Sequence, residues 1–521
     1  MQTKGGGKAR SLVSATIAEI VGHRRAIAGY LLLSALVLGP FLIWNSEGNV
    51  AALRGAYVVF AVALCVLALA SRTAFLLACL LLIPSALIHQ HVSRHWGDGQ
   101  LDARIEAFFE SPPGEIREYL QSHVDALDIA MILGAIGYVV TLFRWTIRNG
   151  FASPPMRRLA AALVIAGLVV FAGLRLDRRL DRFPPYEVLA QPAKAQHRHT
   201  QLSSRNDFLR ENPLPRTNCR LRYDKVVIVL GESASSDHMS VFGYPKATTP
   251  FAQRSGAHAF DTLSPSNQTR YSLGMMLTRA APGSFDSFYR SHSVVGELRN
   301  CGLHTLWISN QGQRGQSDSF STSIAREADE QVFLNDWSWK SVQLDGRIVQ
   351  ELETRGTYRR KGQATIVHLI GSHTRYQERV PAGFGFQPPA DTISHYDNTI
   401  LYTDQVLSDL YRRFSGGSLL FIYASDHGQL VSNTRFGSGF LPGFKEEFRT
   451  PLLIWTDDDE AVGTIRRSIG DATLNLEAFD DVVRYLTGMT PTFRVSTRQT
   501  VSVLTPETVV NFSELESLPE D

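Results

Sequence analysis

The sequence predicts a two-part α/β protein: an N-terminal domain of five transmembrane helices, then a soluble, doubly wound α/β domain. Two patterns carry this. The first third holds five apolar runs nearly free of charge. From Arg220 onward, short aliphatic runs alternate with amphipathic stretches, the pattern of a parallel sheet covered by helices. A length of 521 residues also exceeds what one core normally organises. The formal net charge of +2 gives no reason to expect a nucleic-acid partner.

The basic N-terminus, with Arg24 and Arg25, precedes Ala26–Trp44, a run too long for a signal peptide and followed by no small-residue cleavage site. Further runs at Gly55–Ala70, Ala74–Ile88, Ile129–Trp145 and Leu159–Leu174 complete five predicted spans. Several fall short of the ~20 residues a span needs, and Ala74–Ile88, with Pro84, is the weakest. Arg24, Arg25, Arg72, Arg144, Arg148, Arg157 and Arg158 all fall on one side if the N-terminus is cytoplasmic. An odd number of spans then puts everything after Leu174 on the opposite side. Arg175, Arg178, Arg179 and Arg182 break the pattern and read as an amphipathic helix on the lipid surface.

Between the third and fourth spans, His89–Leu127 reads as a polar loop in which Ile105–Glu115 begins with helical spacing and stops at Pro112-Pro113. The membrane domain is placed at 1–183, a Pro-rich linker at 184–219 and the soluble domain at 220–521. Strands are expected at Lys225–Leu230, His304–Ser309, Ala364–Ile370, Ser418–Ala424 and Pro451–Trp455, with a helix over Tyr396–Phe414. Glu507–Asp521 reads as a mobile acidic tail. Of four cysteines, Cys65 and Cys79 sit in apolar runs as buried thiols. Cys219 and Cys301 precede two strands; if those strands are neighbours, one disulfide is geometrically reasonable and requires an oxidising compartment.

Three strands end in the same way. Val226–Leu230 leads to Gly231-Glu232, Ile366–Ile370 to Gly371-Ser372-His373, and Leu419–Ala424 to Ser425-Asp426-His427-Gly428. Ligands bind at the C-terminal edge of such sheets. Glu232 with its neighbouring hydroxyls reads either as a metal ligand or nucleophile–base pair, or as a capped helix start with Ser233 or Ser235 as N-cap. Two carboxylates and two imidazoles converging at one edge suit a divalent metal, against the plainer reading of caps and hydrogen-bonded core histidines.

Gly231-Glu232-Ser233, the run His238–Pro250, Ile370–His373, the stretch Tyr396–Asp404 and Ser425–Gly428, in this order behind membrane helices, resemble the phosphoethanolamine transferases of Gram-negative inner membranes, in the alkaline-phosphatase and sulfatase superfamily. The resemblance implies a soluble domain of that type on the periplasmic side of a bacterial inner membrane. It implies Glu232, Asp426, His427 and Thr269 as metal ligands, zinc as the ion, and Thr269, in Ser264–Ser272, as nucleophile, with Ser266 and Thr278 as fallbacks. A hydroxyl coordinated to a divalent cation is a reasonable route to an alkoxide at neutral pH. His373 is expected to contact the transferred phosphoryl group, and Arg314 to contact phosphate. Ser111 and Glu115 keep the spacing of a pair that relatives place around the phosphoethanolamine amine, although Ala107 replaces an asparagine. Ser438 stands where relatives often carry a second histidine, so a second metal is in question, and Gln429 replaces a usual glutamate. The implied donor is phosphatidylethanolamine and the implied acceptor an envelope glycolipid or glycan, both reached from the membrane. The alternatives are a phosphoglycerol transferase or sulfatase-like hydrolase on the same scaffold, or a catalytically dead scaffold protein.

Overall fold

The computed structural model describes residues 24–39, 50–96, 113–149, 200–215, 219–312, 320–335, 344–387, 391–440, 443–493, 501–505 and 508–518, with scattered positions at 21 and between 154 and 217. The chain falls into two compact units, Met1–Phe109 with His123–Ala195, and Glu110–Ser122 with Gln196–Asp521.

The first unit contains helices α1 (Arg24–Leu38), α2 (Val50–Ala70), α3 (Arg72–Trp96) and α5 (Ala126–Arg148). Tyr30, Tyr57, Phe75 and Leu142 form its interior, where Tyr30 and Phe75 meet edge to face at 5.2 Å. One side of α5, with Ile129, Ile132, Leu133, Ile136 and Val140, is exposed. Such an apolar stripe needs a non-aqueous neighbour. Among the described residues, Arg72–His95 and Ala126–Arg148 are long and apolar enough to cross a membrane, and Phe60–Ala70 is a shorter apolar helix. Of the five predicted spans, the third and fourth meet that length and composition test among the described residues. The run 26–44 is helical only to Leu38 within the described residues, and 159–174 lies mostly outside them. The third helix is longer than the predicted span: α3 runs through Pro84 and on through His89 to Trp96. One proline removes a single backbone bond, and packing on both sides lets the helix continue. Pro113 likewise opens helix α4 (Pro113–His123) rather than closing one, because a first-turn residue needs no N–H partner.

The second unit is built on an eight-stranded sheet. Its strands are β1 (Lys225–Gly231), β2 (His258–Leu263), β3 (His304–Ser309), β4 (Glu330–Phe333), β5 (Gln363–His368), β6 (Leu419–Ser425), β7 (Arg449–Trp455) and β8 (Leu474–Asn475), in the order β8-β2-β7-β6-β1-β5-β3-β4. The five predicted strands are all present. The sheet is mixed rather than wholly parallel, because β7 runs antiparallel to both β6 and β2. Every residue of β1 is buried. Ile228 and Leu230 join one core with Trp307, Ile366 and Ile422, while Val227 and Val229 join the other with Leu306, Val367 and Tyr423. That alternation between two interiors is why the strand reads as a continuous aliphatic run. Helix α6 (Thr269–Leu277) packs on the first face and α7 (Thr392–Phe414) on the second.

Residues 200–211, assigned by sequence to the linker, are helical. They carry the fully buried Arg205, which donates to the carbonyls of Phe288, Ser291 and Ser323 and to Glu327. A disulfide joins Cys219 to Cys301 with Cα atoms 5.2 Å apart. The pairing agrees with expectation, but the strands that follow, β1 and β3, are separated by β5. Cys65 and Cys79 are buried free thiols. The C-terminal stretch is no mobile tail over its described part: Ser502–Leu504 pairs with Val509–Asn511, and Leu504 N–H donates to Pro265 O at 2.8 Å.

Candidate metal centre

The pairing of β1 with β6 brings Gly231 opposite Ser425, so the residues that follow each strand, Glu232 and Asp426-His427, leave the sheet side by side. All three are almost fully buried. His427 Nε2 lies 3.5 Å from Glu232 Oε1 and 3.5 Å from Asp426 Oδ2. Thr269 Oγ1, at the first residue of α6, is 3.2 Å from Glu232 Oε2 and 3.2 Å from His427 Nε2. A tetrahedral ion with bonds of about 2.0–2.1 Å sets its ligand atoms roughly 3.3 Å apart, so these four side chains have the spacing of one coordination shell.

Two further observations fit a cation. Asp426 Oδ1 accepts from Ser233 N (3.0 Å) and His427 N (2.7 Å), whereas Asp426 Oδ2 is buried without a hydrogen-bond partner. A buried carboxylate oxygen left so is costly unless something positive completes it. His427 Nδ1 lies 2.7 Å from the Gly428 carbonyl; donating there, it leaves the Nε2 lone pair facing the carboxylates, the tautomer a metal requires. Burial disfavours a charged His427, yet Asp426 and Glu232 outweigh it and raise its pKa. The pocket demands positive charge.

The supports around these ligands were not visible in sequence. Ser233 adopts φ 56°, a left-handed conformation that a non-glycine residue holds only when its surroundings impose it. The Tyr396 hydroxyl, from α7, imposes it by donating to Ser233 O (2.7 Å) and accepting from Ser235 N (2.8 Å). Ser233 Oγ in turn donates to Glu232 Oε1 at 2.7 Å, and Gln311 Nε2 to Glu232 Oε2 at 3.0 Å. Asp345 accepts from the N–H groups of Ile370 and Gly371, each at 2.9 Å, fixing the loop that leads to His373. Gly428 is required because a Cβ there would collide with the carbonyls of Glu446 and Arg449.

Four predicted site residues, Glu232, Asp426, His427 and Thr269, therefore meet. Gln268 is the N-cap of α6 and Thr269 its first residue. His373 follows the Gly371 turn at the same sheet edge, half-buried, with its carbonyl held by Arg379 Nε at 3.4 Å. Ser438 is half-buried beside the short hairpin of Leu430–Val431 and Phe436–Gly437. Gln429 donates to the Tyr376 hydroxyl at 2.7 Å. Of the fallback nucleophiles, Thr278 sits at the far end of α6, bonded to Gly274 O at 2.6 Å, and Ser266 accepts from Gln268 N at 3.3 Å. Arg314 and Ser111 lie outside the described residues, as does the side chain of Glu115, whose backbone is in the first turn of α4.

Around this mixed sheet, with Glu, Asp, His and a helix-start threonine at its C-terminal edge, residues 224–477 match the family described as Sulfatase. Over that stretch the chain is similar to the family. Two proteins to which the chain is similar are named phosphoethanolamine transferases. OpgE of Escherichia coli is 30% identical over 266 residues, 49% of this chain and 50% of that protein, so the chain spans about half the length of this relative. EptC of Escherichia coli is 25% identical over 409 residues, 67% of this chain and 68% of that protein. Among solved structures, the integral membrane lipooligosaccharide phosphoethanolamine transferase EptA of Neisseria meningitidis shares the fold over 89% of this chain and 95% of its own, with a TM-score of 0.55 and 15% identity. The periplasmic domain of EptC from Escherichia coli, solved as a complex with Zn, covers 58% of this chain and 97% of that domain, with a TM-score of 0.50 and 22% identity.

Proposed function

We propose that the protein is an inner-membrane phosphoethanolamine transferase whose catalytic domain faces the periplasm, moving phosphoethanolamine from phosphatidylethanolamine to a glycolipid or glycan of the envelope. Five transmembrane helices with a cytoplasmic N-terminus remain part of this reading. The observation that carries the catalytic assignment is the position of Thr269 Oγ1, 3.2 Å from both Glu232 Oε2 and His427 Nε2. Glu232, Asp426, His427 and Thr269 would hold a zinc ion, which lowers the pKa of a coordinated hydroxyl and offsets phosphoryl charge. Thr269 Oγ1 attacks phosphorus, forming a Thr–O–P bond as the bond to the diacylglycerol oxygen breaks. Glu232 lies within reach of the threonine proton, and His373 protonates the departing oxygen. The N-terminal N–H groups of α6 favour the anionic group as it arrives. An acceptor hydroxyl or phosphate then attacks the same phosphorus and restores Thr269. Arg314, Ser111, Glu115 and Ser438 are assigned to substrate contacts.

The test is peptide mass spectrometry of the full-length enzyme incubated with phosphatidylethanolamine. A phosphoethanolamine adduct is expected on Thr269. A phosphoglycerol adduct after incubation with phosphatidylglycerol instead would favour the related transferase. Thr269→Ala should abolish transfer while metal content persists. Full transfer by that variant would place the nucleophile elsewhere.

A further inference from the structure

The hairpin that follows His427 carries a cation with no carboxylate partner. We propose that Arg435 is a specificity-determining residue that binds an anionic group, phosphate or carboxylate, on the acceptor sugar; this rests on the transfer proposed above and names the acceptor class. Arg435 lies in the turn between Leu430–Val431 and Phe436–Gly437 and is exposed. Its guanidinium carbon stands 4.6 Å from the ring centre of Phe440 and 4.8 Å from that of Phe444. The two rings hold the cation without neutralising it. Among the described residues, no acidic side chain pairs with it and no group accepts from its guanidinium. Its backbone is fixed as well. Arg435 N donates to Ser432 Oγ at 2.9 Å, and Ser432 N and Oγ each donate to Arg435 O at 2.9 Å.

The rings are tied to the catalytic edge. Glu447, fully buried, accepts from Phe440 N at 3.0 Å, from Phe444 N at 2.7 Å and from Asn267 Nδ2 at 3.1 Å. Asn267 Nδ2 also lies 3.2 Å from Phe440 O, which accepts from it. Asn267 stands two residues before Thr269, at most about 7 Å of chain. Glu447 O accepts from Gly428 N, directly after His427, at 2.8 Å. One buried carboxylate thus sets the reach of Arg435 from both the nucleophile and a metal-ligand candidate. An unpaired guanidinium selects phosphate or carboxylate, which it can grip with two parallel N–H bonds. Phe436, next in the chain and 37% exposed, adds an apolar face suited to a sugar ring. The donor is not the source of this anion. Phosphatidylethanolamine carries a single phosphate, and that phosphate is the group under transfer at Thr269. The anion left for Arg435 is the acceptor's own.

The two half-reactions separate the role of Arg435 from the transfer on which it rests. The full-length chain in detergent is first charged with phosphatidylethanolamine, and the adduct on Thr269 is counted by peptide mass spectrometry. Arg435→Gln should charge to the wild-type level, which also shows that its fold and catalytic edge are intact. Each charged enzyme is then mixed with a glucosamine disaccharide bearing phosphates, or with the same disaccharide lacking them, and loss of the adduct is timed. At low probe concentration the wild type should discharge about 10–100-fold faster to the phosphorylated probe. Arg435→Gln should lose that preference through a higher half-saturating concentration, with the limiting rate within about twofold. Arg435→Lys, which keeps the charge, should recover part of it. A wild type indifferent to the phosphates, or a Gln variant that keeps the preference, overturns the role of Arg435 and leaves the transfer standing. No adduct on the wild type in the first step overturns the transfer itself, and the role of Arg435 with it.

Discussion

Gly371→Ala tests how tightly the ligand cluster is braced. Gly371 has φ +50°, and a Cβ there would stand 2.7 Å from Glu232 O, 3.0 Å from Glu232 N and 3.2 Å from Glu232 Cβ. The turn cannot retreat, since Asp345 grips the Ile370 and Gly371 N–H groups. The Glu232 main chain must give way instead. The left-handed conformation alone costs alanine about 1–2 kcal/mol, and the forced contact brings the total to about 2–4 kcal/mol. A site of this kind tolerates only about 0.5 Å of ligand displacement, so zinc affinity should fall ~10–100-fold. Gly383→Ala is the control: its φ is +77°, but nothing lies within 4 Å of the added Cβ. It should lose only the conformational part and bind zinc normally. The assays are urea unfolding and zinc competition against a chromophoric chelator. If the two variants behave alike, the steric argument is refuted.

Tyr396→Phe strips the partner from Ser235 N and one from Ser233 O, both buried, and should cost about 2–3 kcal/mol in unfolding free energy together with weaker zinc binding; wild-type values for both would refute its role. The Cys219–Cys301 bridge spans 82 residues of sequence, which corresponds to about 4.5 kcal/mol of chain entropy, so replacing both by Ala should lower the urea midpoint measurably, and an unmoved midpoint would contradict this. Burial holds the pKa of His368 down at about 4, against a smaller opposing pull from Glu232. The unfolded chain therefore binds the extra proton first: stability is full above pH ~6.5 and falls by up to roughly 3 kcal/mol as pH drops through about 4. His368→Asn should flatten denaturation midpoints across that window, and an unchanged slope would assign the acid sensitivity to other groups.

The parts of this structure legible in sequence are those whose cause is local. Val226–Leu230 announces a strand buried on both faces because each residue must be apolar. Glu232 and Asp426-His427 stand out because they follow such strands directly. The direction of Arg449–Trp455 was not legible, since an antiparallel strand between β6 and β2 has the same composition as a parallel one. His258–Leu263 was missed because His258 and Asp261 interrupt its apolar pattern. Thr269 rested on resemblance alone, for nothing in Ser264–Ser272 distinguishes one hydroxyl from another until α6 aims it at Glu232. The supporting roles of Tyr396, which opens one of the stretches carrying the resemblance, and of Asp345 and Gln311 were not legible for a different reason. Their partners are remote in sequence, and a buried hydroxyl or amide carries no mark of what it will hold.

Ser233 N and Asp426 Oδ1 are 193 residues apart yet bonded at 3.0 Å. The register of Gly231 with Ser425 means that the ligand set exists only after the central strands have found each other. Such distant pairing is late in folding, because the loop between must close first. A chain that ends before Asp426 retains Glu232 and Thr269 but not the second carboxylate or the imidazole. On the proposed function, occupancy of an ion at this edge would be a chemical certificate of maturation: a partly assembled sheet would stay metal-poor and inert until its core had closed.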